Sequence, residues 1–328
     1  MTELESLRRV AFGVAYRMLG SVTDADDIAQ SAIERMLRLT DADRPANREA
    51  WLTTVATRLA IDQLRSARAR RENYVGEWLP EPIVGELPNA SRDASEHAEL
   101  AEELSFAFLV LLETLTPTER AAFLLHDVLD YSYDEVASVL GRSSDGAARK
   151  LVSRARARVS GRVPRYPASA AEHEELVSHF IAAVESGAVG EFVSLLTDDV
   201  VAISDGGGKV PPGFAITRPV QGFDAVSKML ASFGRRAVFP VHVEPHPVNG
   251  GPGVVIVADI PVGGGVLAVM SLELRDGRIA AIHGVVNPEK LQHLVPSLGR
   301  LADFDAVRDA EKAGHAQNVH HARRPYGH

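Results

Sequence analysis

Between Asp145 and Val159 the chain sets Arg149, Lys150, Arg154, Arg156 and Arg158 around a helix whose remaining stripe is apolar, with Ala147, Leu151, Val152, Ala155 and Val159 at helical spacing. Ser144 and Ser153 add hydroxyls. The chemistry open to this set is non-covalent: charge and hydrogen bonds directed at phosphate oxygens and base edges. Just upstream, Val136, Ala137, Val139 and Leu140 make the apolar face of a preceding helix, and Gly141 supplies a turn. Ser143 is placed to cap the second helix, with Asp145 in its first turn. A short-turned helix pair whose second member is basic and opens on small residues has the pattern of a helix-turn-helix, which lays side chains in the major groove. A solvated helix on a bundle has the same charge pattern. The coincidence of turn, cap and polarity points to DNA, with Ser144, Arg149, Lys150, Ser153, Arg154 and Arg158 as the candidates.

These residues need elements to hold them, and the 328-residue length allows two or three domains. There are no cysteines, which excludes disulfides and thiolate metal sites and fits a reducing compartment. The opening residues lack an apolar signal core, and no apolar run of about 18 residues occurs. The expectation is a cytoplasmic protein with no membrane segment, cofactor or metal. A net charge of −9 argues against a general coat on nucleic acid. Its distribution argues for local basic surfaces instead, one at Arg65, Arg68, Arg70 and Arg71 and one on the basic helix, with acidic surfaces at Asp24 to Asp27 and Glu96 to Glu103 left for a protein partner.

Periodicity and Pro/Gly punctuation divide the chain into helical residues 1–71, a linker over 72–93, helical residues 94–161 and a second linker over 162–169. An α+β block follows over 170–300, and a polar, His-bearing tail, read as a helix that frays, over 301–328. In the α+β block a helix over 171–186 leads to strand-like runs at 199–204, 237–243, 253–259, 265–274 and 278–286. Asp276-Gly277 is a hairpin turn between the last two runs, and a curved antiparallel sheet is expected. The tail histidines 315, 320, 321 and 328 read as solvated residues.

Two further motifs stand in register with the helix-turn-helix: Asp24-Ala-Asp-Asp-Ile-Ala-Gln30 and Trp51-Leu-Thr-Thr-Val-Ala-Thr-Arg-Leu-Ala-Ile-Asp62-Gln-Leu-Arg65. With Leu115-Thr-Pro-Thr-Glu-Arg120 ahead of the helix-turn-helix, the chain resembles the bacterial extracytoplasmic-function sigma factors. The resemblance implies two all-α domains, sigma regions 2 and 4, binding the −10 and −35 promoter elements. It implies RNA polymerase core as partner, through the β′ clamp helices and the β flap. Asp24, Asp26, Asp27 and Gln30 would dock on the clamp helices, where clustered carboxylates steer encounter and fix register; a helix-cap cluster is the lesser reading of the acids alone. Ser31 stands where an acid commonly follows the Gln, so one ionic contact is missing. Asn47 and Arg48 align with the loop that takes a flipped −10 base, and Arg58, Arg65 and Arg68 face the strand backbone, with Asp62 orienting an arginine and Trp51 in the core.

The block after residue 170 resembles a SnoaL-like (NTF2-like) cone, and three segments are similar to signatures of the sigma-factor subgroup that carries one. They are Trp78-Leu-Pro80-Glu81-Pro82, Asp205-Gly206-Gly207-Gly208-Lys209-Val210 and Asn287-Pro288-Glu289-Lys290-Leu291. In that subgroup the extension controls the sigma module in cis. The three glycines let backbone close on another surface, and Asp205 and Lys209 are expected to pair with linker charges such as Glu81; a plain surface hairpin is the other reading. The cone's interior is a candidate small-molecule cavity, and His242, Asp259 and His283 are the titratable residues on its expected strands. A ligand sensor, rather than turnover, is the expectation, with no catalytic residues assigned. The rival reading of the whole is a DNA-binding regulator fused to a ligand-binding or isomerase-like domain.

Overall fold

The computed structural model describes residues 2–71, 74–85, 87, 100, 103–159, 177–178, 194–236 and 241–312. The chain forms two compact units: Met1–Tyr74 with Glu86–Arg165, and Val75–Gly85 with Tyr166–His328.

In the first helical block each α-helix start is marked by a capping side chain. Thr2 and Glu5 form a reciprocal capping box at α1 (Glu3–Leu19), and Gly20 closes that helix in the left-handed conformation. Ser21 accepts from the Asp24 amide and starts α2 (Val22–Leu37). The side chain of Asn47 accepts from Ala50 N at 2.9 Å and starts α3 (Arg48–Arg71). Alanines at 11, 15, 25, 29, 32, 56 and 60 are buried where these three helices meet, so the backbones approach closely around Tyr16, Met18, Leu19 and Leu52.

The second helical block holds α4 (Phe106–Leu112), α5 (Pro117–Phe123), α6 (Tyr133–Val139) and α7 (Asp145–Val159). Capping boxes Thr116/Glu119 and Ser132/Glu135 open α5 and α6. Between them, Leu124–Val128 is a π-helical turn, and Asp130 leaves it with φ +55°. Ala122, Leu125, Val136, Ala137, Val139, Ala148 and Val152 form the core of this block. α7 buries Ala148, and not Ala147, together with Val152, Ala155 and Val159. That helix starts at Asp145, one residue later than a Ser143 cap would place it. The two helical blocks meet at Arg120, almost fully buried, which donates to Met18 O and to Glu113, each at 2.7 Å.

The second unit is built on a six-stranded sheet of order β2-β1-β6-β5-β4-β3, with β1 (Leu196–Asp205), β2 (Val220–Gln221), β3 (Val241–Pro245), β4 (Gly253–Ala258), β5 (Gly265–Arg275) and β6 (Arg278–Val285). The expected all-antiparallel sheet is corrected: β1 and β6 run parallel, because the chain reaches β1 before it builds the β3–β6 meander. The Asp276-Gly277 hairpin is present, both residues with positive φ. Register shifts at Ile256/Val257 and Glu273/Leu274 bend the sheet. Helix α8 (Phe223–Arg236) packs Val226 against Leu196, Val200, Ala202, Leu272, Ile279 and Ile282.

The helix expected in the tail is present over 304–312, but it is anchored and not frayed there: Ala302 N bonds Val266 O at 2.9 Å, and Phe304 and Val307 are buried, Phe304 edge-on to Phe214. The expected helix over 171–186 lies almost wholly outside the described residues, as does the histidine group 315–328. Among the described residues no helix is long and apolar enough to cross a membrane.

Candidate nucleic-acid interface

On α7, Lys150, Ser153 and Arg154 are exposed, and Ser144 stands exposed just ahead of the helix. Arg149 sits beside Asp145 (3.4 Å) with its guanidinium carbon 4.7 Å from the centre of the Tyr133 ring. Arg158 is half committed inward, donating to Glu119 at 2.5 Å. Burial opposes ionisation of Glu119, but hydrogen bonds from Thr116 and the charge of Arg158 outweigh it, so its carboxyl stays below the ordinary range. Arg156, outside the candidate set, bonds Asp127 of the π-turn through two nitrogens, and that contact raises its own pKa.

The α2 acids are engaged to different degrees. Asp26 is gripped by Arg8 through both carboxylate oxygens (2.8 and 2.7 Å), and Asp24 accepts from Gln63 at 3.2 Å. Asp27 and Gln30 are exposed, and Gln30 also reaches Glu34 at 3.2 Å. Of the candidates near the start of α3, Asn47 accepts the capping bond through Oδ1 and Arg48 pairs with Glu3 at 2.6 Å. Arg65 lies 3.5 Å from Asp62, the orienting pair expected from sequence. Trp51 is partly buried. Arg68 lies on α3, its side chain outside the described residues. Arg58 holds a role that no sequence signal announces: its Nε and Nη2 donate to Val139 O (2.8 Å) and Ser138 O (3.0 Å) at the end of α6, where Ser138 O also accepts from Gly141 N at 3.2 Å.

In the second unit the three signature segments meet. Asp205, fully buried, accepts from Leu79 N (2.8 Å) and from Lys290 Nζ (2.7 Å). Lys290 also donates to Leu79 O and stands 4.1 Å above the Trp78 ring. Asn287 caps α9 (Pro288–Leu291), which carries Lys290. The expected Lys209–Glu81 pair is replaced by another. Lys209 bonds Glu289 at 2.8 Å, and Glu81 lies 4.0 Å from His293, whose Nε2 donates to Pro82 O at 2.8 Å. The glycines earn their places differently: a Cβ on Gly206 would lie 2.8 Å from Ala215, and Gly208, with φ +69°, seats Val75. Asn249 was missed from sequence. Buried with φ +53°, it exchanges two 2.8 Å hydrogen bonds with the Ile83 backbone, and Gly85 N and the Val84–Val248 bridge extend the pairing. Its Asn-Gly context announces a turn but not a partner.

None of the three titratable candidates joins the apolar cluster under α8. His242 and Asp259 are exposed, and His283 is buried 3.2 Å from Glu273, alternating with Ile282, which does join it.

Residues 4–70 match the family Sigma-70 region 2, and residues 105–159 match Sigma-70, region 4. The ECF RNA polymerase sigma factor SigJ of Mycobacterium tuberculosis is 39% identical over 301 residues, covering 88% of this chain and 92% of that protein. The chain belongs to the extracytoplasmic-function sigma factors. The probable ECF sigma factor SigI of the same species is 30% identical over 87% of this chain and 92% of its own length. The crystal structure of the M. tuberculosis SigJ superposes with a TM-score of 0.69 at 36% identity, covering 88% of this chain and 97% of that one. The likeness therefore runs through the cone as well as the two helical blocks of this sigma factor.

Proposed function

We propose that this sigma factor reads −35 duplex with α7 and −10 strand with α3, docks on polymerase through Asp27, Gln30 and, after release from Arg8, Asp26, and is governed in cis by its cone. The second helical block would sit on the β flap. As an alternative sigma factor it directs core RNA polymerase to its promoters. A free-standing repressor is not favoured, since that reading has no use for region 2. The site of action is the cytoplasm. The cone turns nothing over; its role is to sense and restrain, and His242, Asp259 and His283 offer no base to the apolar cluster under α8 among the described residues.

One observation carries the cis-control reading. The segment Val75–Gly85, which joins the two helical blocks covalently, is counted with the cone and held there by Asp205, Lys290 and Asn249. A linker clamped at both ends limits how freely the blocks it joins take up promoter-spanning positions. The test is run-off transcription with purified core, comparing the full chain, a truncation after Pro167 and the Lys290→Met and Asn249→Ala variants. Strap-loosening variants are expected to raise transcription above the full-length level. Wild-type transcription from both variants overturns cis control, and no core-dependent transcript from any form overturns the sigma assignment of the surfaces.

A further inference from the structure

We propose that Tyr133 is a positioning residue for promoter selectivity: its ring presets Arg149, so that selectivity at the base pair this arginine reads depends on a side chain of α6. The inference rests on the reading of α7 as the −35 helix.

The π-helical turn Leu124–Val128 contributes two consecutive residues that both reach toward the start of α6 and the flank of α7. His126 Nδ1 donates to Tyr131 O at 2.7 Å; a carbonyl only accepts, so this nitrogen carries the proton and the ring plane is pinned. Against that ring lies Tyr133, 4.1 Å between centres and tilted by 32°. The backbone of Tyr133 is itself fixed as the first helical residue, inside the Ser132/Glu135 capping box. On the phenol ring stands the Arg149 guanidinium, with Asp145 one turn back holding one edge. Asp127, the next residue of the π-turn, takes Arg156 two turns further along α7. The π-turn thus fixes the azimuth of α7 through Asp127 and the rotamer of Arg149 through the His126–Tyr133 stack.

An unrestrained arginine loses most of its rotamer freedom when its fork closes on a guanine edge. A guanidinium already flat on an aromatic ring has surrendered much of it beforehand, and the gain appears as tighter discrimination. Tyr133 is partly buried and packs against the apolar cluster of this block without belonging to its buried set, so the ring is best removed by Met, which keeps apolar bulk at that position.

The test uses the full chain with core polymerase on a template library randomised across the −35 element, sequencing the templates transcribed. Arg149→Ala identifies the base pair whose preference collapses. Tyr133→Met is expected to lower preference at that same base pair about two- to fivefold, the range of an exposed cation–π contact, while leaving other positions unchanged. Tyr133→Phe, which keeps the ring face and loses only the hydroxyl's hydrogen bond with Arg156, retains the preference at that base pair, and Tyr133→Met adds nothing there in the Arg149→Ala background. Should Tyr133→Met unfold the block, judged by its thermal melt, His126→Leu removes the platform from beneath and is expected to lower preference at the same base pair. A wild-type profile in the ring-removing or platform-removing variant, beside a changed one for Arg149→Ala, overturns the positioning role alone. An unchanged profile for Arg149→Ala overturns the −35 assignment on which it stands.

Discussion

The charges on α7 and the charges around Asp205 obey opposite rules. Arg149 and Arg158 keep 62% and 48% of their side-chain surface in water and each has one carboxylate neighbour, Asp145 and Glu119. Asp205 has no exposed side-chain surface, and Lys290 keeps 10%. An exposed pair contributes little to the fold, about 0–1 kcal/mol, and is free to trade its partner for a phosphate or a base. A buried pair is costly to form and far costlier to break on one side. The first region is built to exchange partners and the second to keep one.

Removing one half of the buried pair is therefore the largest expected effect. Asp205→Ala strands the Lys290 ammonium and also strips Leu79 N of its acceptor, destabilising the second unit by about 3–5 kcal/mol. Trp78, beneath Lys290, is the reporter: in a Trp51→Phe background its emission should show an earlier denaturant transition for this unit. Replacing both partners, Asp205→Leu with Lys290→Met, should recover much of the loss. An unchanged Trp78 transition in the single variant would mean that water reaches the pair and the contrast with α7 is false.

The contrast also explains what was readable in the chain. The α7 cations and the Asp276-Gly277 hairpin follow from local spacing, because helices and two-residue turns are decided by neighbours; the Ser143 cap was misplaced by one residue. That Trp78, Asp205 and Lys290 belong together was legible only as a resemblance among three distant segments. Their chemistry was misjudged: Glu81 was expected against Asp205 or Lys209, whereas Asp205 takes a backbone amide and an ammonium. Asn249 with Ile83, and Arg58 with the end of α6, pair side chains to backbone groups far away in sequence; any residue supplies such a carbonyl or amide, so no residue type marks the partner. The parallel β1–β6 pairing escaped for a related reason, since strand pattern reports facing and not neighbour order.

Glu119 lies between the two regimes, a nearly buried carboxylate holding the half-exposed Arg158. Its folded pKa is lowered, so its contribution is fully present above the ordinary carboxylate range and is lost as pH falls through the folded value. Glu119→Gln should cost the helical unit about 1.5–3 kcal/mol at neutral pH, the worth of hydrogen bonds to a charged group. Melting curves of the two proteins should converge on acidification below the carboxylate range, where the wild type loses the same charge. A gap that persists there would assign the loss to shape and not to charge.

For the exchangeable face, Arg154→Ala is expected to weaken −35 binding by holoenzyme by about 1–3 kcal/mol if it reads a base, with preference relaxed at one position. If it meets phosphate, binding falls on all sequences alike and the salt slope drops by about one. Titration across several salt concentrations separates the two. No change in either quantity would remove Arg154 from the interface.

The smallest effect is the most diagnostic for the polymerase side. Arg8 grips Asp26 through both carboxylate oxygens, yet each side chain keeps half its surface in water, so breaking the pair should change the stability of the helical unit by no more than about 1 kcal/mol. The same carboxylate is assigned to polymerase docking, and one carboxylate cannot serve an internal arginine and an external basic helix at full strength. Arg8→Ala should therefore leave the melt nearly unchanged while tightening association with core polymerase by up to about fivefold, the factor equivalent to 1 kcal/mol. Asp26→Ala should abolish that gain in the Arg8→Ala background. Weaker association of Arg8→Ala would mean that Arg8 itself meets the polymerase, and the docking face would then centre on α1 and not on the acids of α2.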